Sequence, residues 1–169
     1  MRQFKTLFLA VAVMLGATAF TNAQSKVAHI ASQELIESMP AYEEAMTQLQ
    51  KLQRTYDTEI RDLMTEAQNT FQRYEAEATT MTDEENAKRA NELQQTQRSI
   101  GEYRNNAMQE LQEKEMELLQ PILESARETI QKVARDQGFD YVLDSTTGAG
   151  LLMADGYDLM DDVKKELGI

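Results

Sequence analysis

The spacing of apolar residues predicts a long helix in the first half of the chain. This helix is expected to begin at Pro40, because the first turn of a helix tolerates the missing N–H of proline. Apolar residues then recur in steps of four, three and four: Ala45, Leu49, Leu52, Tyr56, Ile60, Leu63, Ala67, Phe71, Tyr74 and Ala78. An eleven-residue repeat averages about 3.67 residues per turn, which keeps the apolar stripe on one face of a nearly straight helix. Such a stripe indicates a seam against a second helix.

The pattern breaks at the segment "ATTMTDEE", and a second helix is expected to return along the first. Thr82, followed three residues later by Glu85, forms a capping box of the kind that starts a helix. The tip of the resulting hairpin is therefore predicted near Thr80 and Met81.

The returning helix carries a weaker apolar stripe, which is interrupted by Gln97 and Arg104. Pro121 lies about 40 residues beyond the tip, as far as Pro40 lies before it. The two prolines should meet at the base of the hairpin, with a kink at the second one. Beyond that point the helix is expected to continue alone to Gln137 and to pack on another part of the molecule.

The chain on either side of the hairpin predicts a small body of strands and short helices. Three segments are strand candidates: Lys26–Ile30, Phe139–Asp144 and Gly150–Ala154. Ser32 is expected to cap a brief helix, and a last helix should run from about Asp158 to Leu167. Such short strands need a helix or another subunit to cover them, so the body is expected to oligomerise. The fold class is mainly α with a small β body, formed by residues 24–39 and 122–169, and a hairpin arm over 40–121.

The first 23 residues have the pattern of a cleaved secretory signal. Two basic residues precede an apolar run over Leu7–Phe20, and small residues lead to a cleavage site after Ala23. A membrane-spanning anchor is the rival interpretation, but Gly16 and Thr18 interrupt the run, which falls short of the roughly 20 residues that a spanning helix needs. Without cysteine, neither a lipid-anchored cysteine nor a disulfide framework is available.

Charge and composition exclude several classes of function. The net charge of −12 becomes −14 once the signal is removed, which predicts no binding to nucleic acid. The middle of the chain is poor in Leu, Ile, Val and Phe and rich in Gln and Glu, so most of it is expected to be elongated.

No constellation of residues predicts catalysis, a cofactor or a metal. His29 is the only histidine, and a place in an oligomer interface is the simpler reading of it. The acids from Asp155 to Asp162 do not follow the spacing of an EF-hand loop and are better explained as helix-capping residues. The segment "STTGAG" lacks the lysine and the strand-to-helix context of a phosphate loop. The protein is therefore not expected to be an enzyme.

Several segments together resemble the Skp (OmpH) family of periplasmic chaperones over essentially the whole mature chain. They are the Pro–x–Tyr helix entry at Pro40 and Tyr42, the segment Gln120–Asp144, and the ending Ala154–Val163. The resemblance implies a homotrimer in which nine strands form a small β-barrel, with a long antiparallel helical hairpin inserted between the strands of each chain. It further implies that three hairpins surround a cavity that holds unfolded outer-membrane β-barrel proteins without ATP.

The arms depart from that family in their charge. Many members have basic arms, whereas residues 41–120 of this chain sum to −8. Acidic arms argue against a role in binding anionic membrane lipids.

Methionine and aromatic residues on the arms are the candidates for contact with an unfolded client. They are Met64, Phe71, Tyr74, Met81 and Met108. Flexible thioethers suit promiscuous binding. The alternative, which we favour from the pattern alone, is that these residues broaden the seam of the hairpin. The candidates for the oligomer-forming body are Val27, Ile30, Val142, Leu143, Leu151 and Leu152.

Two functions of different classes remain open at this point. The first is a holdase chaperone with flexible arms, and the second is a coiled-coil structural or adaptor protein of the envelope that binds one defined partner. The interrupted stripe of the returning helix favours the chaperone, because a rigid spacer would be better served by an unbroken seam.

Overall fold

A hairpin of two long helices dominates the computed structural model, which describes residues 25–169. In chain order the elements are β1 (Val27–Ile30), α1 (Ser32–Glu37), α2 (Pro40–Glu77), a 3-10 turn (Ala78–Thr80), α3 (Asp83–Asp136), β2 (Tyr141–Asp144), β3 (Tyr157–Asp158) and α4 (Met160–Leu167). The predicted signal segment, 1–23, lies outside the described residues.

The hairpin begins and turns where the sequence predicts. Pro40 is the first residue of α2, which runs for 38 residues before the 3-10 turn. The hydroxyl of Thr82 then accepts a hydrogen bond of 3.2 Å from the backbone N–H of Glu85 and caps α3. Both the predicted helix start and the predicted tip are confirmed.

The returning helix α3 is 54 residues long and continues through Pro121 without interruption. Pro121 lines a groove together with Met39 and Ala41, the residues on either side of Pro40, so it lies at the base of the hairpin as predicted. The helix ends at Asp136, one residue before the predicted end, and Gly138 follows in the left-handed conformation with φ of 72°.

The body contains a three-stranded sheet in the order β2-β1-β3, in which both pairings are parallel. Val27 pairs with Tyr141, and Ala28 pairs with Tyr157. The entire hairpin is therefore part of the crossover between β1 and β2, and β1 is the central strand. The outer edges of β2 and β3 have no strand beside them within residues 25–169.

The third predicted strand, Gly150–Ala154, is wrong. These residues form part of a loop, and the third strand is instead Tyr157–Asp158, which has only two residues. Gly148 and Gly150 both have φ of 91°, a left-handed conformation that breaks the extended backbone a strand requires.

The predicted capping role of Ser32 is also wrong. Ser32 is the first residue of α1, and its hydroxyl donates a hydrogen bond of 2.5 Å to the Asp144 carboxylate at the end of β2. The last helix starts two residues later than predicted, and the Asp158 carboxylate accepts a hydrogen bond of 2.9 Å from the N–H of Met160. Acids in its first turn and lysines in its last turn match the helix dipole, as predicted.

The hydrophobic core lies in the body, where α1, the last turns of α3, and α4 cover the sheet. Leu35, Leu159 and Val163 have no exposed surface. The rest of the core consists of Ala28, Ile30, Met39, Ala45, Ile122, Ala126, Val133, Ala134 and Phe139. Nearly all of the hairpin beyond its base is outside this core, so the arms depend on contacts between their own two helices.

Candidate binding surface

A cluster of tyrosine and glutamate residues joins the two helices near the middle of the hairpin. The hydroxyl of Tyr56 donates to the carboxylate of Glu110, and the hydroxyl of Tyr103 donates to the carboxylate of Glu59. The hydrogen bond with Glu59 raises the pKa of Tyr103 to about 12, because the ionised phenolate would lose the bond and lie beside a negative charge. We call these four residues the middle clasp.

A second cluster closes the hairpin near its tip. The guanidinium of Arg89 forms an ion pair of 2.8 Å with Glu77 and lies 4.5 Å from the centre of the Tyr74 ring. The hydroxyl of Tyr74 donates a hydrogen bond of 3.0 Å to Glu92. Tyr74, a candidate for client contact, therefore lies in the seam, as its place in the repeat indicates. We call these four residues the tip clasp.

A groove of about 500 Å³ lies between α2 and α3, in the segment that separates the two clasps. Its lining residues are Met64, Ala67, Gln68 and Phe71 from α2, and Leu93, Gln97, Ile100, Gly101 and Arg104 from α3. We call this the arm groove. The structure thus brings together two of the candidate residues, Met64 and Phe71, each about half exposed.

The remaining arm methionines lie away from the arm groove. Met81 follows the turn at the tip, and Met108 lies on α3 with 52% of its surface exposed. Met46 and Met116 are similarly exposed. These side chains leave much of their surface open to solvent, and their part in broadening the seam of the hairpin stays a prediction. Whether they contact a client stays a prediction.

The sequence pattern does not identify two residues of the arm groove. It marks Arg104 only as an interruption of the apolar stripe, yet the guanidinium reaches across the hairpin to the sulfur of Met64 at 3.5 Å. It gives no role to Gly101. A glycine inside an otherwise continuous helix of 54 residues was the signal that could have identified it.

The body carries a second set of exposed apolar side chains. Tyr141 and Leu143 are exposed on β2, and Leu152 is fully exposed in the loop before β3. Among the other candidates for the oligomer-forming body, Ile30 is buried, Val27 is exposed, and Val142 and Leu151 are half-buried.

The junction between β2 and α1 is held by the carboxylate of Asp144. Burial alone would raise the pKa of this group, but hydrogen bonds from Ser32 and Thr146 lower it to about 2. The backbone N–H groups of Ser32 and Thr146 lie 3.3 and 2.9 Å from Oδ1. The ionised carboxylate therefore ties the end of the sheet to the first helix.

His29 occupies the centre of the sheet and contacts both ends of the loop between β2 and β3. Its Nδ1 lies 3.2 Å from the hydroxyl of Ser145, and its Nε2 lies 3.2 Å from the carbonyl of Gly156. Both ring nitrogens are engaged within this chain. In residues 25–169, no three side chains of the metal-binding types converge on one point.

Within residues 25–169, no helix is both long enough and apolar enough to cross a membrane.

The fold and sequence are similar to known proteins over most of the chain. Residues 26–167 match the family described as "Outer membrane protein (OmpH-like)". The chaperone protein Skp of Photorhabdus luminescens is 25% identical over 137 residues, which are 81% of this chain and 83% of that protein. The crystal structure of an OmpH-like protein of Caulobacter crescentus CB15 superposes with a TM-score of 0.73 at 19% identity, covering 86% of this chain and 85% of that one.

Proposed function

We propose that this chain, which belongs to the OmpH-like family, is a periplasmic holdase. Membership of that family and similarity to a Skp chaperone support a role as a chaperone for outer membrane proteins. In this proposal it binds unfolded outer-membrane β-barrel proteins in a cavity between helical arms, prevents their aggregation and does not use ATP. The expected signal peptide, cleaved after Ala23, would deliver the mature chain to the periplasm.

The observation that carries the proposal is the exposure of apolar side chains along otherwise polar arms. Met64 and Phe71 in the arm groove, and Met108 elsewhere on α3, are each about half exposed. Methionine side chains adapt to differently shaped partners, which suits a protein that must hold many unfolded sequences. Exposed apolar side chains along the arms could each contribute a weak contact, and together they would retain a client.

The proposal includes a homotrimer that is built by the body. Strands of four, four and two residues are short for a stable sheet, and the edges of β2 and β3 are open within the described chain. Exposed Tyr141, Leu143 and Leu152 supply apolar surface beside them. Strands from three copies would complete a small barrel, with 24–39 and 122–169 as the body and 40–121 as the arm.

The charge of the arms narrows the range of partners. Residues 41–120 sum to −8, which favours basic client segments and disfavours anionic lipid surfaces and nucleic acid. Holding of basic clients should weaken as salt is added.

The experiment is a dilution assay with several unrelated β-barrel proteins unfolded in urea. Light scattering after dilution into buffer without nucleotide should fall when the mature chain is present. Replacement of Met64, Met81 and Met108 together by Ser should weaken this protection, whereas the matched replacement of exposed Gln53, Gln72 and Gln112 by Ser should not. Undiminished aggregation of every client, or binding to a single folded partner, would favour the structural or adaptor protein instead.

A further inference from the structure

Gly101 lies near the middle of α3, where no local feature requires a glycine. A glycine inside a helix costs about 1 kcal/mol relative to alanine. Glycine is usually retained where φ is positive or where a neighbour leaves no room for a Cβ. Gly101 is not among the glycines with positive φ, and a Cβ built on it meets no atom within 4 Å.

The position of Gly101 supplies a different reason for the missing side chain. It lines the arm groove, and the absence of a side chain opens the groove down to the backbone of α3. Glycine permits another group to approach the backbone closely. No side chain of the described residues lies within 4 Å of the position that a Cβ would take, so the groove has room there for a group from outside the chain.

The residues that line the groove determine which kind of group could bind there. Among its described lining residues, Arg104 is the only one with a charge, although the arms as a whole are acidic. Its guanidinium lies beside the sulfur of Met64, with Nη2 3.5 Å from Sδ. A guanidinium attracts the negative face of an aromatic ring, and a thioether sulfur makes favourable contacts with aromatic rings.

The other lining residues suit an aromatic side chain that belongs to an extended polypeptide. Phe71, Leu93 and Ile100 provide apolar walls, and a volume of about 500 Å³ is ample for one ring. The side-chain amides of Gln68 and Gln97 are available at the groove for hydrogen bonds to the backbone of such a segment.

We propose that the arm groove, with Gly101 as its floor, binds one aromatic side chain of an extended, unfolded polypeptide segment. The proposal rests on the holdase function and gives each arm a site that prefers aromatic residues. The single cation of the groove complements the electron-rich face of the ring, whereas an aliphatic side chain gains no such contact.

The test compares two substitutions that should both strengthen the helix but differ in size. Gly101→Leu fills the groove, while Gly101→Ala adds one methyl group and leaves most of it open. The probe is a 12-residue peptide of alternating Val and Thr with one central Trp, and the reference peptide, which carries Leu in its place, is measured by competition with the probe. The chain contains no tryptophan, so the fluorescence of the probe can be followed without interference.

We expect Gly101→Leu to weaken binding of the Trp peptide by on the order of tenfold, from the combined loss of the guanidinium and thioether contacts. Gly101→Ala should bind within about twofold of the unmodified protein, and the Leu peptide should bind more weakly than the Trp peptide to both. Equal binding of the Trp peptide by Gly101→Leu and the unmodified protein would overturn the proposal. If Gly101→Leu and Gly101→Ala both lost the same amount of affinity for the Trp peptide, the proposal would also be overturned, because Gly101 would then act as a flexible point in the helix.

Direct contact can be observed at Met64 by labelling methionine methyl groups for NMR. A bound aromatic ring should shift the Met64 methyl signal through its ring current, and the signal of Met116, far along α3, should stay unchanged. An unmoved Met64 signal at saturating Trp peptide would exclude the groove as the binding site. If the Met64 signal does not move but the protein still protects clients in the dilution assay, only the proposal for the groove is rejected. If the unmodified protein does not protect clients in that assay, the holdase function is rejected.

Discussion

Tyr56 of α2 and Tyr103 of α3 meet edge to face across the hairpin, with ring centroids 6.3 Å apart and ring planes at 71°. This arrangement is favourable for aromatic rings because the positive edge of one faces the negative face of the other. Each hydroxyl also donates to a carboxylate of the opposite helix. The pair therefore fixes the register of the two helices at a point where few apolar residues are available.

The first prediction concerns the Tyr103 hydroxyl. Tyr103→Phe keeps the ring and should lower the thermal unfolding midpoint by a few degrees, and Tyr103→Ala should lower it further. The folded pKa of about 12 lies above the ordinary value of 10, so the contribution of the hydroxyl is present below pH 10 and lost as pH rises toward 12. Circular dichroism melts should show the difference between the unmodified protein and Tyr103→Phe disappearing over that interval. A difference that persists unchanged at pH 12 would contradict the role of the Glu59 bond.

The second prediction concerns the stability of the fold at acid pH, to which the Asp144 carboxylate contributes. The folded pKa of about 2 lies below the ordinary value of 3.8, so the charged group stabilises the fold above about pH 4. That contribution is lost as pH falls from about 4 to 2. Asp144→Asn should therefore lower the unfolding midpoint at pH 6 and match the unmodified protein near pH 2. If the gap between the two melting curves were the same at both pH values, the charge of Asp144 would not be the cause.

The third prediction compares the same substitution at two glycines. Gly138→Ala should reduce the free energy of unfolding by about 1 kcal/mol, because φ of 72° is unfavourable for a residue with a Cβ. Gly101→Ala should raise it by about the same amount, because its position is helical and open. Urea unfolding at one fixed protein concentration measures both, and shifts of equal sign would refute the conformational argument.

The fourth prediction is that packing in the body contributes more to the free energy of unfolding than packing in the arms. Leu35 is fully buried, and Leu35→Ala should cost about 3 kcal/mol of unfolding free energy because it leaves a cavity. Leu63→Ala, on the arm, should cost about 1 kcal/mol, because 37% of the Leu63 surface is already exposed. Equal costs from urea unfolding would mean that the arms contribute as much packing as the body.

The fifth prediction tests the proposed assembly at the loop before β3. Leu152 is fully exposed in one chain, so Leu152→Ser should leave the fold intact but weaken the oligomer if another copy covers this side chain. Met116→Ser provides the control, because Met116 is 62% exposed on the arm. Sedimentation velocity over a dilution series should show dissociation of Leu152→Ser alone. Identical behaviour of both variants would remove Leu152 from the interface.

The hairpin was predictable because its signals are local. The position of Pro40, the cap formed by Thr82 and the glycine after α3 each depend on a few neighbouring residues, and each is confirmed within one or two positions. Apolar periodicity over many turns then identifies the face that pairs with the other helix.

The sheet was predicted less well because strand pairing depends on distant residues. Apolar composition pointed to Gly150–Ala154, but β3 consists of one aromatic and one acidic residue that become a strand only by pairing with Ala28 and His29. A strand of two residues is too short to show the alternation of apolar and polar residues that predicts a strand. The same holds for Ser32, whose partner Asp144 is 112 residues away.

The pairing of Val27 with Tyr141 has a consequence for the order in which the molecule forms. These partners are separated by the whole hairpin, so β1 is made early and stays without its neighbours until more than a hundred further residues have been added. The two arm helices can pair before the sheet closes, since their contacts near the tip are local. In the proposed trimer, only a chain that is complete through β3 would bring the full set of strands to the assembly.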